Sequence, residues 1–196
     1  MDQIKLLKRP WIPGKSDMSE ILNAPNPILS IEAEPITKFD KNLDNLLKDM
    51  QQALISAHDP IGVGLAAPQI GVEKRVFITK AGEKAKIEIF INPIVLSFEP
   101  IKKTKKKRIR KLEGCLSLVG IWGEVDRYPK ITLEWQDEKG KKNVKKFNGF
   151  MATIIQHEID HLEGILFPKR VLEQKGKLYK SRKNEKGEDV FEEIDV

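Results

Sequence analysis

The sequence predicts an α+β fold, a single domain of mixed and antiparallel strands packed around one central helix. Three observations predict it. An apolar stripe over residues 41–57 has helical spacing, and a second helical stretch follows at about 150–163. Apolar or alternating runs rich in β-branched residues lie before and after that second stretch. No internal repeat or long linker divides the 196 residues, and 40% apolar with 33% charged is a soluble globular balance.

In chain order, residues 1–20 read as an irregular arm broken by Pro10, Pro13 and Gly14. Asn23–Pro27 is a turn cluster. Asp40 is placed to cap a helix over 41–57, whose Leu43, Leu46, Leu47, Met50, Leu54 and Ala57 form one core stripe. His58, just past its end, reads as a loop histidine. Arg75–Thr79 and Ile87–Ile91 read as strands, the second ended by Asn92-Pro93. Lys130–Trp135 and Asn143–Phe147 flank Asp137–Gly140 as a hairpin. Gly149 then opens the helix over 150–163, which ends near Gly164. Beyond Pro168 the chain becomes a charged tail, about 172–196, with a candidate last strand at Val190–Ile194.

The net charge of +6 is unevenly placed, with eight positive charges in Lys102–Lys111. Such a run reads first as a solvated loop or edge strand, because Lys on an edge blocks sheet-to-sheet association. A contact with RNA or an acidic surface is the other reading, weakened by the lack of interleaved aromatics to stack bases. A single cysteine excludes an intramolecular disulfide and fits a reducing compartment. The first ten residues hold no signal-peptide core, and no run approaches the roughly 20 apolar residues of a membrane span. A cytoplasmic protein with no membrane contact is expected.

The chemistry is concentrated in Gln156–Leu162, Q-H-E-I-D-H-L. His157 and His161 stand four apart, so a helix presents both imidazoles on one face. Glu158 lies beside them, able to reach a metal-bound water without being a ligand. No third histidine follows. The chain offers its only cysteine, Cys115, inside Glu113–Ser117. Alone, such a residue reads as a small buried apolar group. Beside two metal-type histidines, a thiolate ligand is the better reading. Two nitrogens, one sulfur and an open fourth position form a catalytic rather than a structural pattern, and make 150–163 a metal-binding helix. A third stretch, Gly62–Gly71, has two glycines that let another chain approach closely, and Gln69, whose amide can donate to an oxyanion. It lacks a phosphate-loop pattern, which disfavours nucleotide binding.

Together and in this order, G-x-G-L-A-A-P-Q at Gly62–Gln69, E-G-C-L-S at Glu113–Ser117 and Q-H-E-x-D-H-L at Gln156–Leu162 resemble the three signature motifs of peptide deformylase. The resemblance runs from about Ile21 to about Val171. It implies a metal-dependent hydrolase that removes the formyl group from N-formylmethionyl ends of nascent polypeptides, releasing formate. Cys115, His157 and His161 would hold the ion. Glu158 would be the base, with Gln69 and the Leu116 N–H as oxyanion donors. The implied ion is iron(II) in vivo, with zinc, nickel or cobalt able to replace it. The peptide would lie extended beside the Gly62–Gly64 edge, pairing with Val63, Gly64 and Gly114. Phe150, Thr153 and Ile154, one to two turns before His157, would form the methionine pocket. The resemblance further implies a Glu113–Arg127 ion pair and a ribosomal partner, met through Lys102–Lys111 or the charged tail. A monomer is expected. Asp160 reads equally as support for a ligand, as a cap or as a solvent-facing group.

Some residues depart from the family pattern. The run before E-G-C-L-S is basic where acidic residues are usual, Leu118-Val119 follow Ser117 where proline is common, and Trp122 stands where a basic or polar residue is expected. Two other readings are a generic H-E-x-x-H zinc endopeptidase and an inactive deformylase-like scaffold that docks RNA or the ribosome.

Overall fold

The computed structural model describes residues 20–58, 60–99 and 111–195. The expected N-terminal arm up to residue 19 and the basic run up to residue 110 lie outside the described residues.

Helix α1 spans Lys41–Ser56. Asp40 caps it as expected, its carboxylate accepting from the backbone N–H of Asn42 and Leu43. Leu43, Leu46, Leu47, Met50 and Leu54 are buried, and Ala53 completes the stripe in place of the half-buried Ala57. Each large apolar side chain in that stripe contributes on the order of 2 kcal/mol by leaving water.

Among the described residues, nine strands form two antiparallel sheets. The larger runs β1(Gly64–Ala66), β2(Val76–Thr79), β3(Glu88–Glu99), β6(Lys130–Gln136), β7(Lys142–Asn148). The smaller runs β4(Lys111–Cys115), β5(Leu118–Val125), β8(Leu178–Lys183), β9(Asp189–Ile194). Helix α2, Gly149–Leu162, packs on the larger sheet, where Ala152, Ile155 and Leu162 join Phe77, Phe90 and Phe147 in one core cluster. A second cluster fills the space under α1. A third, with Phe167, Val171 and Leu178, places Cys115 between the smaller sheet and α3(Phe167–Glu173).

The α+β reading therefore holds, with three differences. β3 does not end at Asn92-Pro93. Asn92 adopts φ 50°, the pairing with β6 shifts between Ile91 and Ile94, and the strand continues to Glu99. Asn92 stabilises this bulge itself, since its side chain bonds both the N–H and the carbonyl of Ile36 at 2.8 Å. Proline is tolerated at a bulge because no ladder N–H is needed there. Secondly, α3 was not expected. It is only seven residues long, and Pro168 lies in its first turn, where a missing N–H costs nothing. Thirdly, the charged segment from 172 onward does more than contribute one strand: β8 and β9 form a hairpin that extends the smaller sheet from β5.

Candidate metal centre

Helix α2 and strand β4 build the site. The helix is apolar around most of its circumference, so it is held in the core, and its interior face also carries polar groups. Glu158 and His161 are 3% and 1% exposed. Gly164, at φ 68°, ends the helix, and a Cβ there would lie 2.7 Å from the Ser30 carbonyl carbon. On the facing side, the β4–β5 pairing shifts between Gly114 and Cys115. This irregularity turns the Cys115 side chain inward.

The donor atoms of Cys115, His157 and His161 all lie within 4.8 Å of one another. Cys115 Sγ is 3.2 Å from His161 Nε2, and the two imidazole rings stand 4.9 Å apart. His157 Nδ1 is 2.6 Å from Glu113 Oε1, which directs Nε2 toward the cluster. Burial pushes the Cys115 thiol up, but the His161 and His157 charges outweigh burial and hold it at about 5. Burial also opposes ionisation of Glu113, yet His157 and Arg127 bring its carboxyl down to about 2. His157 is pulled well above the ordinary imidazole range against burial, chiefly by the Glu113 charge. In the metal-free cluster the thiolate and the carboxylate thus face imidazolium charge, whose place a cation would take.

Glu158 Oε2 and His161 Nδ1, both buried, have no hydrogen-bond partner among the described residues. Burial raises the Glu158 carboxyl to about 7. A set of one thiolate and two imidazoles matches zinc, iron, nickel or cobalt ligation, so the residues present fit a divalent ion.

The supporting groups are largely those singled out in the sequence. The Glu113–Arg127 pair is present, with Arg127 Nη2 at 2.6 Å from Glu113 Oε1 and Nε at 3.0 Å from Oε2. Arg127 Nη1 also donates to Asp160 at 2.6 Å, and Arg170 donates to the same carboxylate at 2.7 Å. Asp160, 5% exposed, is therefore linked to His157 through Arg127 and Glu113 rather than facing solvent. Arg170 had no signal in the sequence, since it lies ten residues past Asp160 on a separate helix.

Gln69 is buried, its carbonyl accepting from Ala66 N–H at 2.9 Å. Its amide points at the cluster, donating to Ser117 Oγ at 3.1 Å and approaching Cys115 Sγ at 3.6 Å. Ser117, fully buried, is a positioning partner that sequence reasoning missed. Leu116 is half-buried in the turn between β4 and β5. Gly64 faces Glu158 directly, since a Cβ on Gly64 would lie 2.2 Å from Glu158 Oε1.

The other residues expected to meet the substrate are dispersed. β1 is an edge strand. The Val63 carbonyl accepts from Lys80 N–H at 2.8 Å and so faces β2. Gly64, one residue on, directs its backbone groups to the open edge. Ile154 is buried beside Gly64, Thr153 is half-buried and Phe150 is 54% exposed at the start of α2. Gly114 lies under the Trp122 ring, whose nearest atoms are 3.0 Å from the place a Cβ would take. His58 is exposed and stands apart from the cluster.

An α+β fold that brings a cysteine, two helical imidazoles and a buried carboxylate with one oxygen unpaired among the described residues to one point fits the class of metal-dependent hydrolases. Residues 18–177 match the polypeptide deformylase family. Peptide deformylase 1 of Bacillus cereus is 42% identical over 155 residues, covering 78% of this chain and 91% of the relative. The peptide deformylase of Heliobacterium modesticaldum is 40% identical over 152 residues, covering 78% and 93%. Among solved structures, peptide deformylase from Thermotoga maritima superposes with a TM-score of 0.70 at 34% identity, covering 79% of this chain and 97% of that one. This chain belongs to the peptide deformylase family.

Proposed function

We propose that Glu158, Gln69 and the Leu116 N–H act on the formyl group of N-formylmethionyl peptides, at an ion held by Cys115, His157 and His161. The chain is a deformylase, a hydrolase that removes the formyl group from nascent polypeptides. The observation that carries the residue assignment is the convergence of three ligand-type donor atoms within 4.8 Å beside a buried carboxylate with a free oxygen.

A divalent ion held by Cys115, His157 and His161 would supply the Lewis acidity that acidifies water and polarises the formyl carbonyl. Glu158 takes the proton from water. As hydroxide adds to the formyl carbon, the Glu158 carboxyl holds that proton and gives it to the leaving amine as the C–N bond breaks. Gln69 Nε2 is already aimed at the cluster and donates to the carbonyl oxygen as negative charge gathers there, together with the Leu116 N–H. The free edge of β1 at Gly64 and the backbone at Gly114 receive the extended peptide, with Val63 behind them paired to β2. Ile154 and Thr153 form the inner wall of the methionine pocket and Phe150 its open rim.

By resemblance to the family the ion is iron(II), with zinc, nickel or cobalt as replacements. The reducing cytoplasm suits both a thiolate ligand and a nascent-chain substrate, and no helix among the described residues is long and apolar enough to cross a membrane. A monomer that meets the ribosome through Lys102–Lys111 or the β8–β9 hairpin completes the proposal. Salt-insensitive or absent ribosome association would overturn the ribosome contact.

The test is formate release from formyl-Met-Ala-Ser by protein purified anaerobically with iron(II) or nickel. Formate is expected with wild type and lost in Cys115→Ala and Glu158→Ala. Folded, metal-loaded protein that releases none would overturn the reading. Cleavage of internal peptide bonds instead would favour the endopeptidase.

A further inference from the structure

We infer that the β8–β9 hairpin and Trp122 form a specificity pocket for an apolar residue that follows formylmethionine. The inference rests on the deformylase reading. A cavity of about 240 Å³ opens beside the metal centre, with Gly114 and Cys115 at its inner end. It is smaller than the roughly 300–1,000 Å³ of a small-molecule site, so it suits one side chain of a longer ligand held elsewhere. Its first wall is apolar: Leu118, Val119, Ile121 and Trp122 of β5. The rest of the lining is Ser181, Arg182 and Lys183 of β8, the strand that pairs with β5, and Asp189 of β9, with Pro60 and Gly120.

The β8 and β9 part of the lining lies beyond residue 177, where the family match stops. It is nonetheless built into the site. β8 pairs with β5 through Trp122–Tyr179, and Trp122 Nε1 donates to Ser181 Oγ at 3.2 Å. Phe191 of β9 meets the Trp122 ring edge-on at 5.6 Å. The ring so held lies against Gly114, whose backbone is the proposed peptide partner. A chain paired with Gly114 would lie beside Trp122, and both residues line this cavity.

The charges at the rim are already matched within the hairpin. Arg182 pairs with Glu192 and Lys183 with Asp189. They leave no buried charge for a ligand to neutralise, and the apolar β5 wall sets the preference. Val119, 62% exposed, is the part of that wall an incoming side chain would cover.

The test uses the metal-loaded full chain and two peptide series, formyl-Met-X-Ser and formyl-Met-Ala-X, with X as Gly, Leu, Phe, Asp or Lys. At one of the two positions, kcat/KM for Leu or Phe is expected to exceed that for Gly by about tenfold, the lower end for an apolar pocket. Val119→Glu, a change at an exposed position, should reduce that ratio to about twofold or less, through KM rather than kcat. Trp122→Ala should do the same and Trp122→Phe should restore the preference, while Val144→Glu on β7 should leave it unchanged. A flat series at both positions, or a ratio untouched by Val119→Glu, would overturn the pocket and leave the deformylase reading standing. No formate from any peptide would instead overturn the reading beneath it.

Discussion

Glu113 Oε1 lies 2.6 Å from both His157 Nδ1 and Arg127 Nη2, so one carboxylate orients a ligand and binds it to a buried ion-pair chain. That chain continues through Asp160 to Arg170 and Glu173, so each guanidinium bridges two carboxylates. Removing one member leaves an unpaired charge behind, the costly case for buried ions.

Glu113→Gln should therefore weaken metal binding about 10- to 100-fold, the usual effect of losing the group that orients a ligating imidazole. Glutamine keeps the shape and can still meet His157, but it cannot match the Arg127 charge. Competition titration with zinc and a chromogenic chelator measures the change directly. Unaltered affinity would mean that the helix alone orients His157.

Glu158→Ala should separate binding from chemistry. The Glu158 side chain is buried beside the donor atoms without being one of the three clustered ligand groups. Formate release should fall by about 10² to 10⁴-fold, the range for general acid–base groups. Metal content, measured by mass spectrometry on the same preparation, should stay near one ion per chain. Near-native turnover would remove Glu158 from the base role.

The parts of this site that were legible in the sequence are those whose geometry is local. His157, Glu158 and His161 share one helical turn, so their spacing alone sets their face. Cys115 was reached because it is the chain's only cysteine. Arg170 and Ser117 were invisible because their roles depend on contacts across the fold: Arg170 reaches Asp160 from α3, and Ser117 meets Gln69 from a sequence distance of 48. The continuation of β3 past Pro93 was lost for a related reason. The Asn92 bulge is stabilised by Ile36, 56 positions away, and no local signal announces it. The charged composition of β8 and β9 hid a hairpin whose buried residue, Leu178, begins β8.

Gly64→Ala tests how closely β1 and α2 approach. The added methyl would lie 2.2 Å from Glu158 Oε1 and 2.9 Å from Ile154 Cγ2, so the base or the strand must shift. Overpacking of this kind costs about 1–3 kcal/mol, which urea unfolding would register. Turnover should fall more steeply than stability, by tenfold or more, because a displacement of about 1 Å at the base already costs about 100-fold. A variant with full activity would show that Glu158 moves freely and that its packing on Gly64 is incidental.

The pH dependence of the metal-free protein isolates the cost of burying Glu158. Its carboxyl rises from 4.5 to about 7 on folding, because burial disfavours the charged form more than the neighbouring imidazoles favour it. A raised folded value contributes stability that is fully present below the unfolded value and is lost as pH climbs through the folded one. Between about pH 4.5 and 7 the chelated wild type should therefore lose stability relative to Glu158→Gln, which cannot ionise. The gap should reach on the order of 3 kcal/mol near pH 8 and close near pH 4. Glu113 works in the opposite sense. Its folded value of about 2 supports the fold above pH 4.5 and fails only in stronger acid, in both proteins alike, so the difference between them belongs to Glu158. Urea midpoints for the two chelated proteins across pH 4–8 provide the comparison. Parallel curves would mean that Glu158 stays ionised in the folded metal-free state, and that the neighbouring imidazolium charge rather than burial sets its proton affinity.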